Sequence, residues 1–158
     1  MRFLHTSDWH LGRAFNGVRL LDAQARVLDH LVETAREARV DAVLVAGDVY
    51  DKALPNPDAV VLLSQTLERL VDLGARVVVT SGNHDSAIRL GFASGLLARA
   101  GLHVRTGLEG LCDPVLVGDA AIYALPYLEP TVVADVVGAQ TRTHAGVLRT
   151  VLGSVRED

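Results

Sequence analysis

The feature that most constrains the fold is an alternation of short apolar runs with longer amphipathic segments. The apolar runs have the length of strands and occupy residues 2–7, 41–46 and 75–81. The later two are apolar almost throughout, as in parallel strands that are covered on both faces. The segments between the runs carry apolar residues at helical spacing, over residues 20–38 and again from the helix start Asn56-Pro57 to the stop at Gly74. This order predicts an α/β domain in which helices flank a layered parallel sheet and the crossovers are right-handed.

Beyond residue 85 the alternation becomes less regular. A third helix is expected over residues 86–100, although Gly91 and Gly95 lie inside it. Short strands, which we place at an edge of the sheet, are expected at residues 102–104, 115–117 and 121–125. An apolar stripe from His144 to Val155 predicts a last helix. Because no further strand follows that helix, we expect the layered sheet to be incomplete at its C-terminus.

Composition and charge exclude several classes of protein. The chain has 158 residues, and its 15 Lys and Arg against 19 Asp and Glu argue against a basic protein that coats DNA. The single cysteine, Cys112, excludes a disulfide framework and a thiolate-rich zinc site. The longest apolar stretch, residues 42–47, is far shorter than the roughly 18 residues that cross a membrane, so we expect no membrane association. The N-terminus lacks the apolar run of a signal peptide, and we therefore expect a cytoplasmic protein.

Each of the three predicted strands is followed at once by a cluster of polar side chains that can bind metal. The clusters are Asp8-Trp9-His10, Gly47-Asp48 with Asp51, and Gly82-Asn83-His84-Asp85. Because the carboxyl ends of parallel strands meet at the same edge of a sheet, we expect these side chains to converge on one crevice. Gly47 and Gly82 fit backbone that turns sharply and leaves room for a close neighbour.

The residue types in these clusters predict a site for metal-assisted hydrolysis. They offer oxygen and nitrogen but no sulfur, which suits Mn²⁺, Mg²⁺, Fe or Zn²⁺ in an open geometry. Asp8 and His10 can hold one ion. Asp48 can bridge to a second ion, which Asn83 would help to hold. Two such ions, about 3.5–4 Å apart, can deprotonate a water for in-line attack on phosphorus.

Two residues of the third cluster are candidates for catalysis. His84 follows the predicted ligand Asn83, and we expect it to approach the phosphate or its leaving oxygen as an acid. Asp85 is predicted to orient the His84 ring. The other histidines are expected to be structural or solvated, with His5 in the core, His144 packed, His30 exposed on its helix and His103 structural.

The three motifs together resemble those of the calcineurin-like metallophosphoesterase superfamily. The combination is Asp8-x-His10, Gly47-Asp48-x-x-Asp51 and Gly82-Asn83-His84-Asp85. The wider context at residues 5–12, 46–51 and 82–86 is similar to that of the SbcD family, the nuclease subunits of bacterial SbcCD complexes. The motifs that carry this resemblance are strong to about residue 100 and weaker beyond it.

The resemblance implies a fold, a chemistry and partners. It implies a layered metallophosphoesterase-type sheet and a dinuclear site, usually run with Mn²⁺, that hydrolyses DNA phosphodiesters as an exonuclease and endonuclease. Such an enzyme acts in DNA repair, recombination and replication. Carried over to this chain, the resemblance implies that Asp8 and His10 bind the first ion, that Asp48 bridges and that Asn83 binds the second. His84 would be the catalytic histidine and Asp85 its partner. A homodimer joined to an SbcC-type coiled-coil ATPase subunit is also implied.

The chain departs from the family pattern after its third motif. Two further histidine motifs, one of them Gly-His-x-His, have no counterpart between residues 86 and 158. We therefore expect residues 1–158 to be the N-terminal part of the phosphoesterase domain, without the capping and partner-binding regions. Weak or no activity is expected of this part alone.

Two alternatives stay open at the level of sequence. The chain could be another metallophosphoesterase, such as a phosphatase or a nucleotide phosphodiesterase, although Trp9 and Leu11-Gly12 count against this. It could also be a non-catalytic module for dimerisation or assembly. Taken alone, Asp8 or Asp48 could be a loop cap, whereas three clusters at equivalent strand ends favour a joint metal site.

Overall fold

The computed structural model describes residues 1–157, which form an α/β structure. Its strands are β1 (Phe3–Thr6), β2 (Ala14–Phe15), β3 (Val18–Arg19), β4 (Ala42–Ala46), β5 (Arg76–Thr80), β6 (Leu102–Arg105), β7 (Val115–Val117) and β8 (Ala120–Ile122). Its helices are α1 (Leu21–Ala38), α2 (Pro57–Asp72), α3 (Ala87–Leu90), α4 (Ser94–Leu97), α5 (Pro130–Val137) and α6 (His144–Glu157), with a 3₁₀ turn at Ala98–Ala100.

A four-stranded parallel sheet, in the order β1-β4-β5-β6, forms the centre of the fold. On one face, Val43, Val45 and Val77 pack in a single core with Leu28 of α1 and Leu70 of α2. Burial of these alternating side chains supplies the main driving force for the layers to assemble. The parallel sheet with flanking helices confirms the predicted layered α/β class.

The opposite face of the sheet is covered by a hairpin rather than by a helix. Ala42 and Val78 pack there against Val115 and Val117 of β7. Within residues 1–157, β7 and β8 pair only with each other, antiparallel. The prediction that they lie at an edge of the main sheet is therefore wrong, whereas β6 does form that edge. In β7 the buried residues Val115 and Val117 alternate with Leu116, which is 66% exposed. Because of this alternation, β7 packs one apolar side against the face of the sheet instead of pairing with its edge.

The third predicted helix is interrupted. Instead of one helix over residues 86–100, the chain forms α3, α4 and the 3₁₀ turn. A Cβ at Gly91 would lie 2.4 Å from Thr106 Oγ1, so this position packs directly against the segment that follows β6. Ala93 then has a left-handed φ of 59°. The close approach at Gly91 and the turn at Ala93 together end the first helical piece.

Two elements were not predicted, the β2–β3 hairpin and α5. α5 begins at Pro130, after the capping residue Glu129. The predicted last helix is confirmed as α6, and its buried residues Val147 and Val151 pack in the same cluster as Ala134 of α5. Among the described residues, none of the helices combines the length and the apolar character needed to cross a membrane.

The histidines outside the clusters differ in part from expectation. His5 is exposed rather than in the core, because β1 is an edge strand with one open face. His144 is also exposed, and its ring centroid lies 5.8 Å from that of Tyr127. His30 is exposed on α1, as predicted. Partial burial lowers the pKa of His103, and the charges of Arg105 and Arg76 act in the same direction.

Candidate metal centre

The loops that follow β1, β4 and β5 meet at one edge of the parallel sheet. The first two loops continue the strand pairing, because the Asp8 N–H donates to the Gly47 carbonyl at 3.1 Å and the His10 N–H donates to the Asp48 carbonyl at 2.9 Å. Leu11 and Tyr50 form one further parallel bridge after these bonds. The backbone that carries Asp8, His10 and Asp48 is therefore an extension of the sheet, not a free loop.

Three of the candidate ligands have left-handed backbone. The φ angle is 56° at Asp8, 44° at His10 and 49° at Asp48. Such angles are uncommon outside glycine, although Asp and His adopt them more readily than most residues. Backbone strain of this kind persists only where the surrounding structure holds it, and it is concentrated at functional sites.

Two glycines let the third loop come close to the second. A Cβ on Gly82 would lie 2.0 Å from Asp48 Oδ1 and 2.3 Å from the Asp48 backbone nitrogen. A Cβ on Gly47 would lie 3.0 Å from the Cα of Gly82. The prediction that these two positions leave room for a close neighbour is confirmed, and the neighbours are the ligand loops themselves.

Three side chains place potential ligand atoms together in the crevice. One ligand atom from each of His10, Asp48 and His84 lies within 4.8 Å of the other two. His10 Nε2 is 3.7 Å from Asp48 Oδ2, and the rings of His10 and His84 meet edge to face with centroids 4.7 Å apart. The Nδ1 atom of His10 is buried and has no hydrogen-bond partner in the part of the chain that the structure describes. It is the opposite ring atom of His10, Nε2, that faces the carboxylates of Asp48 and Asp8, and a set of imidazole nitrogen and carboxylate oxygen donors fits a divalent cation.

Asp8 and Asn83 flank this donor set. Asp8 Oδ1 lies 3.8 Å from His10 Nε2, and the Asp8 side chain is 66% exposed. Asp8, Asp48 and Asn83 line the same cavity of about 300 Å³. The structure thus brings the four residues that the sequence offered as metal ligands to one crevice, and it places His84 beside them.

The His84 ring is held by the loop that follows β4. Its Nδ1 atom lies 2.9 Å from the carbonyl oxygen of Asp51. A carbonyl can only accept, so Nδ1 carries the proton and the lone pair of the neutral ring is on Nε2. The backbone N–H of His84 donates to Asp48 Oδ1 at 3.0 Å, which ties the third loop to the second.

Asp85 has a different role from the predicted one. Its carboxylate accepts from the backbone N–H groups of Val49 at 3.1 Å, Tyr50 at 2.9 Å and Gly82 at 2.8 Å. It therefore holds the second and third loops together, while the ring of His84 is oriented by a carbonyl group instead. Burial raises the pKa of Tyr50 to about 12, and the charge of Asp85 acts in the same direction.

Asp85→Asn is expected to destabilise the protein by about 1–3 kcal/mol. The amide NH₂ would face an N–H group that now donates to a carboxylate oxygen, so at least one of the three bonds is lost. Urea unfolding without metal measures the loss. Asp119→Asn, at an exposed turn position, is the control and is expected to change stability by less than about 0.5 kcal/mol. Equal stability of the two variants would contradict the role of Asp85.

Sequence patterns did not identify Gln24 or the backbone of Asp51 as parts of the site. Gln24 interrupts the apolar stripe of the first helix, and its side chain bonds to the backbone of the loop after β1. The available signal was a single amide among apolar residues on the buried face of a helix. The Asp51 side chain lies 3.8 Å from His10 Nδ1 and 3.6 Å from Arg13 Nε.

Comparison with known proteins identifies the family. Residues 1–131 match the family model described as calcineurin-like phosphoesterase. The chain belongs to this family. The predicted superfamily resemblance is thereby confirmed, and the calcineurin-like phosphoesterase match covers all three ligand loops.

A relative with a known name shows which members of the family this chain is similar to. This calcineurin-like phosphoesterase is 38% identical over 128 residues to a Staphylococcus saprophyticus subsp. saprophyticus protein that is named as the SbcD component of the nuclease SbcCD. The match covers 80% of this chain and 34% of that protein. The chain therefore spans about a third of the length of this relative. Members of the family use divalent metals, and the imidazole and carboxylate donors in the crevice fit such ions.

Proposed function

We propose that this calcineurin-like phosphoesterase hydrolyses DNA phosphodiesters, as an exonuclease and endonuclease, in a complex of the SbcCD type that acts in DNA repair and recombination. The observation that carries the proposal is the convergence of His10, Asp48 and His84 on one crevice, flanked by Asp8 and Asn83. The similarity to a protein named as a component of the nuclease SbcCD supports DNA as the substrate.

In this proposal two divalent ions are held by the side chains that the loops bring together, with Mn²⁺ favoured over Mg²⁺, Fe and Zn²⁺. Asp8 and His10 hold the first ion, Asn83 helps to hold the second, and Asp48 contributes to both. When bound, such ions supply a hydroxide nucleophile and neutralise charge on the phosphoryl oxygens. Support comes from the two carboxylates near His10 Nε2, at 3.8 Å for Asp8 and 3.7 Å for Asp48.

His84 is the proposed catalytic histidine. Because its Nδ1 proton is donated to the Asp51 carbonyl, Nε2 is the ring nitrogen that remains for the substrate. A protonated Nε2 can donate to the phosphate or to the leaving oxygen, and such a group contributes about 10²- to 10⁴-fold to the rate. Asp85 supports this step indirectly, by fixing the backbone on either side of the crevice.

The charge of the chain is compatible with a nucleic-acid substrate in this scheme. Two divalent ions would add +4 to the formal charge of −4, giving zero. The crevice would then be locally positive where the phosphate must bind, although the free chain is acidic. Wider contact with the DNA backbone is proposed to come from partner surfaces.

The proposed partners are an SbcC-type coiled-coil ATPase subunit and a second copy of this chain. The first rests on the name of the relative, which describes one component of a complex. The second is supported by exposed apolar side chains of the α3–α4 region: Ile88 is 88% exposed, Phe92 80% and Leu96 66%, and Phe92 also lines a groove against α2. An exposed apolar patch of this kind is typical of an interface. Sedimentation velocity at micromolar concentration is expected to give a dimer.

The experiment that tests the function is cleavage of linear duplex DNA by the natural protein that carries these residues, with Mn²⁺ present. His84→Ala is expected to lower the rate by about 10²- to 10⁴-fold. His30→Ala, at an exposed position on α1, is the matched control and is expected to cleave as the wild type does. Hydrolysis of small phosphoesters without any cleavage of DNA would overturn the nuclease proposal in favour of a phosphatase or nucleotide phosphodiesterase. Absence of both activities would favour an assembly module.

A further inference from the structure

Gln24 contacts the first ligand loop with every hydrogen-bonding group of its side chain. Its Oε1 atom accepts from the N–H of Gly12 at 3.1 Å. Its Nε2 atom donates to the carbonyl oxygens of Trp9 at 3.0 Å and of His10 at 2.7 Å. One side chain from α1 therefore binds three backbone groups of the loop that carries two candidate metal ligands.

In the described part of the chain, these backbone groups do not form hydrogen bonds with the sheet or with its extension into the loop after β4. The N–H groups of Asp8 and His10 are already bound to the loop after β4. The carbonyl groups of Trp9 and His10 accept from Gln24 of α1 instead, and the His10 carbonyl also accepts the N–H of Arg13 at 3.1 Å. Backbone groups that are shielded from water need partners, and the amide of Gln24 supplies one to the Trp9 carbonyl and one to the Gly12 N–H.

Only a side-chain amide matches this pattern of groups from one position on α1. The Trp9 carbonyl needs a donor, the His10 carbonyl takes a second donor besides the Arg13 N–H, and the Gly12 N–H needs an acceptor. A carboxylate offers no donor and an ammonium group offers no acceptor. The amide is also well anchored, since the Gln24 N–H donates to the Leu20 carbonyl at 2.9 Å and Leu28, one turn further along α1, is 2% exposed.

We propose that Gln24 is a positioning residue that holds Asp8 and His10 in the geometry that binds metal. Both ligands have left-handed φ angles, 56° and 44°, which the isolated loop would not favour. Without the three bonds from Gln24, the loop relaxes towards commoner backbone angles and the two ligand side chains move apart. The inference rests on the proposed metal site, and it gives a metal-binding role to a residue that contributes no ligand atom.

Gln24→Met tests the inference, because methionine keeps the length and helix propensity of the side chain but removes all three bonds. Gln65→Met, at an exposed position on α2, is the matched control. Mn²⁺ is titrated into the metal-free protein by isothermal titration calorimetry. The dissociation constant of Gln24→Met is expected to rise about 10- to 100-fold, and that of Gln65→Met to stay within about twofold.

Amide hydrogen exchange of the metal-free protein supplies a second readout. Exchange at Gly12 is expected to accelerate about tenfold or more in Gln24→Met, while amides in the centre of β4 keep their protection. A purely structural role would lower the stability of the whole protein and leave the Mn²⁺ affinity of its folded form unchanged. Gln24→Ala, which admits water to the same backbone groups, replaces the methionine variant if that variant does not fold.

The outcomes separate the inference from the proposal on which it rests. A folded Gln24 variant with the Mn²⁺ affinity of the wild type overturns the inference and leaves the metal site intact. A wild-type protein that binds no Mn²⁺ even at millimolar concentration contradicts the metal site, and the inference with it. Weaker Mn²⁺ binding in the Gln24 variants alone supports the inference.

Discussion

Asp48→Asn is expected to reduce DNA cleavage by about 10³-fold or more and to weaken Mn²⁺ binding. The Asp48 carboxylate is 14% exposed, lies 3.7 Å from His10 Nε2, and accepts the backbone N–H of His84. Asparagine keeps the shape of the side chain and can still accept that bond through its amide oxygen. It removes the negative charge, however, so two cations held side by side would repel each other without compensation.

Initial rates on linear duplex DNA in excess Mn²⁺, together with calorimetric titration of Mn²⁺, measure the two effects. Asp135→Asn is the matched control, because it removes an exposed carboxylate of α5 that is paired with Arg142 on the surface. Such a pair contributes little, so the control is expected to behave as the wild type. Wild-type cleavage by Asp48→Asn would mean that Asp48 holds no metal and that the proposed site is wrong.

Gly82→Ala is expected to damage both the stability and the metal site through a single added methyl group. The new Cβ would lie 2.0 Å from Asp48 Oδ1 and 2.3 Å from the Asp48 backbone nitrogen. The side-chain oxygen could rotate away, but the backbone nitrogen could not, so the second and third ligand loops must separate. Overpacking of this kind costs about 1–3 kcal/mol, and separation of the loops breaks the bond between the His84 N–H and Asp48.

Urea unfolding of the metal-free protein and Mn²⁺ titration measure these two consequences of Gly82→Ala. Gly95→Ala in α4 is the matched control, because among the described residues no heavy atom outside the local backbone of its own helix and its chain neighbours lies within 4 Å of a Cβ built there. The control is expected to be about 0.4–1 kcal/mol more stable than the wild type, since alanine restricts the unfolded chain. If Gly82→Ala retained full stability and full Mn²⁺ affinity, the close crossing of the two loops would be refuted.

Local sequence patterns predicted the parts of the fold that depend on residues close to one another in the sequence. The runs that became β1, β4 and β5 are short and apolar, and α1, α2 and α6 show helical spacing, so each could be identified by itself. The ligand clusters could be placed together for a topological reason, because parallel strands present their carboxyl ends at one edge.

The features that sequence patterns missed depend on contacts between distant residues. The break at Gly91 follows from its contact with Thr106, and the hairpin that covers the sheet packs against residues as distant as Ala42. In the site, the prediction that Asp85 orients the His84 ring assumed that residues adjacent in the sequence also bond to each other. The structure instead pairs Asp85 with backbone groups more than thirty residues away, at Val49 and Tyr50.

The left-handed backbone at three of the proposed ligands also limits how the centre could be redesigned. β-Branched side chains are excluded at Asp8, His10 and Asp48 by their φ angles alone, before any metal chemistry is considered. Glycine, asparagine, aspartate and histidine are the residues that such backbone accommodates best, and of these only the last three carry a ligand atom. A library that seeks a new metal preference would therefore gain more from varying Asn83 and the residues around the crevice than from varying these three positions.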